Sequence, residues 1–168
     1  IIHYQLEAIK SLGITEISIV VGYHREMLIK HLRDNFPSFS YNLVVNHHYF
    51  ETNTAFSLYT GKEFLNDDII LMNADVVYPE GLLKRLKNSK HETVLAVDIK
   101  SCGREEVKVI DGGADKIVAI GKELIEAQCL GEFIGVAKLS KDFCKYFSQS
   151  LDDLIESGGL NDYFEAAI

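Results

Sequence analysis

The chain has 168 residues, 47% hydrophobic and 25% charged, and a formal net charge of -8. That length and balance describe one globular domain with a core of ordinary size, and the acidic excess excludes nonspecific nucleic-acid binding, which needs a basic stripe. No apolar run reaches the length of a membrane span, the N-terminus lacks the basic region of a secretory signal, and Cys102, Cys129 and Cys144 are too scattered for a disulfide scaffold or a Cys-x-x-Cys zinc site.

Ile2, Leu6, Ile9 and Leu12 recur at helical spacing, and Gly13 supplies a stop. Residues 14–22 then read as a strand with Ile17 to Val21 as its core. Gly22 permits a tight turn, with Tyr23 packing nearby. Met27, Leu28, His31 and Leu32 mark a helix ending near Asn35 and Pro37. A strand is predicted over residues 41–45. His47 and His48 would point to opposite faces of an extended segment, so shared metal ligation is not expected. A helix follows over residues 53–64, entered through a cap at Thr52-Asn53-Thr54.

Residues 69–72 are four unbroken apolar positions followed by Asn73-Ala74-Asp75, the pattern of a strand buried on both faces. In open α/β sheets ligands bind outside the carboxyl ends of the strands, and Asp75 falls at that end. A carboxylate there suits a hard cation such as Mg2+, which prefers oxygen and brings phosphates with it. Its alternative role is to cap the turn before the next helix. That helix is predicted to start at Pro79, whose missing N–H is harmless in a first turn, and a strand follows over residues 93–97.

After Lys100 the pattern changes. Residues 107–110 and 116–120 read as a hairpin around Asp111-Gly112-Gly113. Residues 133–139 form one more strand. A helix after Ser140 carries Phe143, Phe147, Leu151 and Leu154, with Asp152-Asp153 on its solvated face, and residues 161–168 form a short closing helix. Strand–helix alternation over the first hundred residues marks a doubly wound α/β sheet. Without repeats or linkers, residues 1–168 are expected to form a single domain.

Several segments, taken in order, carry a resemblance. They are Ile1-Ile2-His3-Tyr4-Gln5-Leu6-Glu7-Ala8-Ile9, Val20-Val21-Gly22-Tyr23, the stretch 46–59 with its Thr52-Asn53 and Ser57-Leu58, Asn73-Ala74-Asp75-Val76, Ile120-Gly121-Lys122, Gly131-Glu132-Phe133-Ile134-Gly135-Val136 and Tyr163-Phe164-Glu165. The set resembles the nucleotidyltransferases that activate phosphorylated sugars and alcohols, above all the phosphocholine and phosphonate cytidylyltransferases. The resemblance implies a Rossmann-like three-layer α/β/α fold with a mostly parallel mixed sheet, of the nucleotide-diphospho-sugar transferase type.

It also implies in-line attack by a phosphate or phosphonate oxygen on the α-phosphorus of a nucleoside triphosphate, CTP being favoured, with release of pyrophosphate. Asp75 would hold the Mg2+ that bridges the substrates, and Lys122 would contact the acceptor's phosphoryl group. Asn53, Thr54 and Ser57, at a helix start, would read the base or ribose, although capping explains Asn53 as well. Asn73 and Tyr78, flanking Asp75, are assigned to substrate binding. Glu132 would contact the acceptor, complementing a choline-like cation with help from an aromatic face at Tyr49, Tyr59 or Tyr78. Glu165 would face the acceptor pocket or the solvent.

The sequence departs from the family pattern in three places. No Gly-x-Gly-Thr-Arg loop precedes Ile1, no late acidic second metal ligand is present, and Ala166 stands where relatives carry an acid. A domain truncated at both ends is therefore expected. The family's first strand would lie between those at Ile17–Val21 and Ile69–Met72, which then pair directly or flank a slot whose backbone groups invite homo-oligomerisation. Further expectations are a cytoplasmic location and no membrane or nucleic-acid partner. Two alternatives stay open: a nucleotide-sugar glycosyltransferase, weakened because Asp75-Val76-Val77 is not Asp-x-Asp, and a non-catalytic nucleotide-binding remnant.

Overall fold

The structure is a computed structural model that describes all residues, Ile1–Ile168. Helix α1 (Ile2–Ser11) buries Leu6 and Ile9 and leads into β1 (Glu16–Val21). Helix α2 (Arg25–Asn35) then crosses over to β2 (Ser40–Val45), which pairs parallel to β1 from Glu16 opposite Ser40 to Val21 opposite Val45.

The second sheet is organised on β7 (Gly131–Leu139), the longest strand. β3 (Ile69–Met72) lies along one edge of β7 and β4 (Val94–Asp98) along the other, both antiparallel to it. β5 (Lys108–Asp111) pairs with the start of β7 and forms a hairpin with β6 (Ile117–Gly121). β3 and β4 thus run parallel to each other with β7 between them. The pairing is mixed, as expected of this α/β architecture: β1–β2 is the parallel ladder, and the ladders of β5 and β7 are antiparallel. The strand–helix rhythm determines the directions of β3 and β4, but the returning strand after the hairpin takes the place between them.

Helices cover both faces. α1, α2 and α4 (Leu82–Lys87) pack with Ile17, Ile19, Ile70, Met72 and Ile134 around Leu6, Leu32, Phe36 and Val136. On the other face α3 (Thr54–Thr60) and α5 (Lys141–Glu156) enclose Val109, Phe133, Leu139, Phe147 and Phe164. β1 and β3 contribute to the same helical layer yet do not pair with each other, and no strand of residues 1–168 joins them. No helix is long and apolar enough to cross a membrane.

Three predicted helix bounds shift for local reasons. α4 starts at Leu82, because Pro79 to Gly81 form a turn in which Gly81 takes φ 82° and Leu82 N–H donates to Pro79 O at 3.2 Å. α3 ends at Thr60, Gly61 separating it from a 3₁₀ turn at Lys62–Phe64. The closing helix is reduced to a 3₁₀ turn at Phe164–Ala167, since Leu160 and Asp162 accept backbone hydrogen bonds from Asn53 and Ala55 instead of coiling.

Candidate active site

Where β3 ends, the backbone turns sharply through Asn73, Ala74 and Asp75. The turn is held from two sides. Gln5 of α1, only 2% exposed, donates both hydrogens of its amide, to Asn73 O at 2.8 Å and Val76 O at 2.9 Å. From β7, Gly135 O accepts from Asn73 N–H at 2.8 Å. Gly135 takes φ 72°, and a Cβ there would stand 2.4 Å from Asn73 Nδ2, so the Asn73 side chain packs against bare backbone. Between these supports Asp75 is exposed and enters none of the chain's ion pairs.

Asp75 opens onto a cavity of about 650 Å³, within the range of small-molecule sites. The structure brings Asn73, Asp75, Lys122, Glu132 and Glu165 together in its lining. Lys122, just past the end of β6, holds its ammonium 4.1 Å from the centroid of the Tyr163 ring and 4.0 Å from a Glu105 oxygen. Glu132, at the start of β7, pairs with Lys100 at 2.7 Å. Glu165 is 5% exposed and its Oε2 has no hydrogen-bond partner. Burial pushes its carboxyl above the ordinary carboxylate range, against opposing pulls from a backbone hydrogen bond and from Lys122. Asp98 and Glu105 complete five carboxylates, facing only two cations, Lys122 and Arg85.

Other predicted site residues lie elsewhere. Tyr78 packs against the α1–α2–α4 core, outside the cavity lining, with its hydroxyl unpartnered and its pKa raised by burial. Tyr49 lies over Gly22, where an added Cβ would meet it at 2.7 Å, and Tyr59 lies beneath the Lys62 ammonium. The aromatics of the cavity lining are Tyr163 and Phe133. Asn53, Thr54 and Ser57 also stay out of the lining. Asn53 Oδ1 caps Thr54 N–H, Thr54 Oγ1 accepts from Phe164 N–H at 3.1 Å, and Ser57 Oγ accepts from Asn46 Nδ2 at 3.1 Å. Their visible work is to tie α3 to β2 and to the segment that carries Tyr163 and Glu165. Gln5, Lys100 and Tyr163 are the supporting residues that sequence reasoning missed; a polar residue at a helical core spacing is the one signal Gln5 offers.

The site is thus a free carboxylate at a β-strand end, where open α/β sheets bind their ligands, beside a cavity that carries further carboxylates and a lysine. Residues 1–107 match the family model described as nucleotidyl transferase, and the chain belongs to that family. It is 30% identical over 169 aligned residues to the CTP:phosphoglutamine cytidylyltransferase of Campylobacter jejuni subsp. jejuni serotype O:2, a match covering 85% of this chain and 62% of that protein. It is 28% identical over 96 residues to the CMP-5'-(3-aminopropyl)phosphonate synthase of Streptomyces rubellomurinus, covering 57% of this chain and 15% of that one. The chain thus spans less than two thirds of either relative.

Among solved structures it superimposes on the CTP:phosphocholine cytidylyltransferase of Streptococcus pneumoniae with a TM-score of 0.78 at 23% identity, covering 99% of this chain and 68% of that one. The inositol-1-phosphate CTP transferase of T. maritima gives 0.74 at 19%, covering 99% and 65%. The fold is the α/β nucleotide-diphospho-sugar transferase type.

Two outcomes follow from this geometry. Gln5→Leu strips the partners from Asn73 O and Val76 O and is expected to lower stability by about 1–3 kcal/mol in denaturant unfolding, the usual loss for orphaned buried polar groups. Glu165 has the opposite signature. With its folded pKa raised, the native state keeps a proton that the unfolded chain releases, so stability falls as pH climbs from the ordinary carboxylate value through the raised one. Glu165→Gln should therefore melt above the wild type at about pH 8 and lose that advantage at about pH 3.5, as thermal melts at both values will show.

Proposed function

We propose that the chain transfers a nucleotidyl group, CMP, from CTP to an oxygen of a phosphorylated alcohol or phosphonate, releasing pyrophosphate. The acceptor oxygen attacks the α-phosphorus, the bond to the bridging oxygen of the β-phosphate breaks, and the electron pair leaves with pyrophosphate. Such a step needs positioning and charge neutralisation, without a covalent enzyme intermediate. The observation that carries the reading is Asp75: an unpaired carboxylate at the end of β3, in the same cavity as Lys122.

Mg2+ fits the donor set present. No three His, Cys, Asp or Glu side chains stand close enough together to hold a metal ion by themselves, but Mg2+ characteristically takes one or two carboxylates, waters and substrate phosphates rather than a protein cage. Asp75 would hold it, and the ion would neutralise the triphosphate oxygens. Charge makes the same point, since five lining carboxylates against two cations repel a bare triphosphate. The remaining work falls to the chain's side chains. Lys122, aimed by the Tyr163 ring, would bind the acceptor's phosphoryl oxygens, and Asn73 would border the triphosphate beside Asp75.

The acceptor class is supported by two kinds of group in the cavity. Phosphocholine and the 3-aminopropylphosphonate of the relatives join an anionic phosphorus group to a cationic nitrogen. Here Lys122 suits the first, while Glu132 and the unpartnered Glu165 Oε2 suit a cation or hydrogen-bond donor at the second. Pyrophosphate release by the full-length protein, with each nucleoside triphosphate against phosphorylated alcohols, aminophosphonates and hexose 1-phosphates, tests this reading. CTP with an amine-bearing acceptor is expected to react, and Asp75→Asn to lower turnover about a hundredfold or more with the fold intact. Reaction with hexose 1-phosphates alone would overturn the acceptor class, and near-normal turnover in Asp75→Asn would return Asp75 to a turn-capping role.

A further inference from the structure

Lys108, in β5, is a lysine where a core residue is expected. It is 1% exposed, and Val109 beside it is 0% exposed. Its Nζ donates to three backbone carbonyls: Lys122 O at 2.5 Å, and Arg104 O and Glu106 O at 3.3 Å each. None of the chain's ion pairs includes it. The nearest carboxylate by register is Glu132, directly opposite Lys108 on β7. That carboxylate turns the other way, to Lys100, which lies just beyond β4 on the far side of β7. Lys108 is thus a buried ammonium whose three hydrogens are satisfied by carbonyls and which makes no direct ion pair, the Glu106 carboxylate acting on it from longer range.

Burying an ammonium is costly even when its hydrogens are satisfied, and an apolar side chain of similar length would fill the space more cheaply. Two facts indicate what the lysine does there. The ammonium is bonded directly to the carbonyl of Lys122, whose own side chain enters the cavity. The same ammonium grips the loop that carries Glu105, the carboxylate nearest Lys122. One group therefore determines where Lys122 stands relative to its neighbour and adds positive potential at the same corner.

We propose that Lys108 is a positioning residue for the acceptor's phosphoryl group: it clamps the Lys122 backbone to the 104–106 loop, and its charge adds to the attraction of an anionic phosphate bound at Lys122. The proposal rests on Lys122 being the phosphate contact of the transfer reaction. It assigns to a residue outside the cavity lining the job of making that corner selective for the acceptor over the nucleotide.

Titration of the full-length protein with inorganic phosphate, followed at backbone amides by NMR, tests it without turnover. In the wild type, the amides of Lys122 and of residues 104–106 should shift together with one saturation curve, because one ammonium joins both carbonyl sets. Lys108→Gln and Lys108→Met should weaken phosphate binding about tenfold, the size usual for groups that orient a direct ligand, while CTP affinity stays at the wild-type value. Lys122→Met, as control, should abolish the shifts. Phosphate affinity unchanged in both Lys108 variants, equal losses of phosphate and CTP affinity, or wild-type shifts at Lys122 without the 104–106 loop would each overturn the proposal. Phosphate binding as expected in a protein that releases no pyrophosphate with any substrate pair would sink the transfer reading and leave the role of Lys108 standing.

Discussion

Two hydrogen bonds from one buried amide, Gln5 to Asn73 O and Val76 O, hold the turn on which Asp75 stands. A turn at the end of a buried strand must satisfy its carbonyls or lose stability. Only a donor can meet those carbonyls, and Gln5 supplies it; had the Asp75 carboxylate been turned back to accept from the turn's own N–H groups, as in an Asx turn, it would not be free at the cavity. Gln5 and Gly135 take the structural load from either side, and the acid stays available. The α1–β3–β7 contact is therefore both a packing element of the core and the support of the site.

Charge distribution around that carboxylate follows one logic. Carboxylates outnumber cations in the lining, yet every lysine near the cavity is restrained: Lys100 by Glu132, Lys122 by the Tyr163 face and Glu105, and Lys108 by three carbonyls. Restrained lysines lose less freedom when a ligand arrives than solvated ones do, which favours binding by preorganisation. On the proposed reading, this excess of acid makes divalent cations the companions of a polyphosphate, whereas a monophosphate or phosphonate is met by lysine alone.

Asp75 was legible in the sequence because it depends on a short spacing: the apolar run Ile69–Met72 places the acid at a strand end. Lys122, Glu132 and Glu165 were implied by the family resemblance, and they line the same cavity. What stayed hidden depends on partners far apart in the chain. Gln5 meets Asn73 across 68 positions, and Lys108 sits in a strand where alternation gives no hint of three carbonyls. Asn53, Thr54 and Ser57 carry the residue types of a ligand-reading helix start, and those types serve equally well in local structure: here the Asn53 side chain caps the helix, Thr54 Oγ1 accepts from Phe164 N–H, and Ser57 Oγ accepts from Asn46. Tyr78 reads as a rim aromatic, but the turn after Asp75 folds it back onto the core. The antiparallel course of β7 is invisible to periodicity, since a strand buried on both faces shows the same apolar run in either direction.

The most direct test replaces Mg2+ with Mn2+ in crystals of the full-length protein grown with a non-hydrolysable CTP analogue, and locates the metal by its anomalous signal. The account predicts a Mn2+ ion within bonding distance of an Asp75 carboxylate oxygen and of the triphosphate, about 2.0–2.2 Å as for a small oxygen-bound divalent ion, with the Gln5 hydrogen bonds to the turn intact. A nucleotide bound with its metal on other carboxylates, and Asp75 turned away from the cavity, would contradict it.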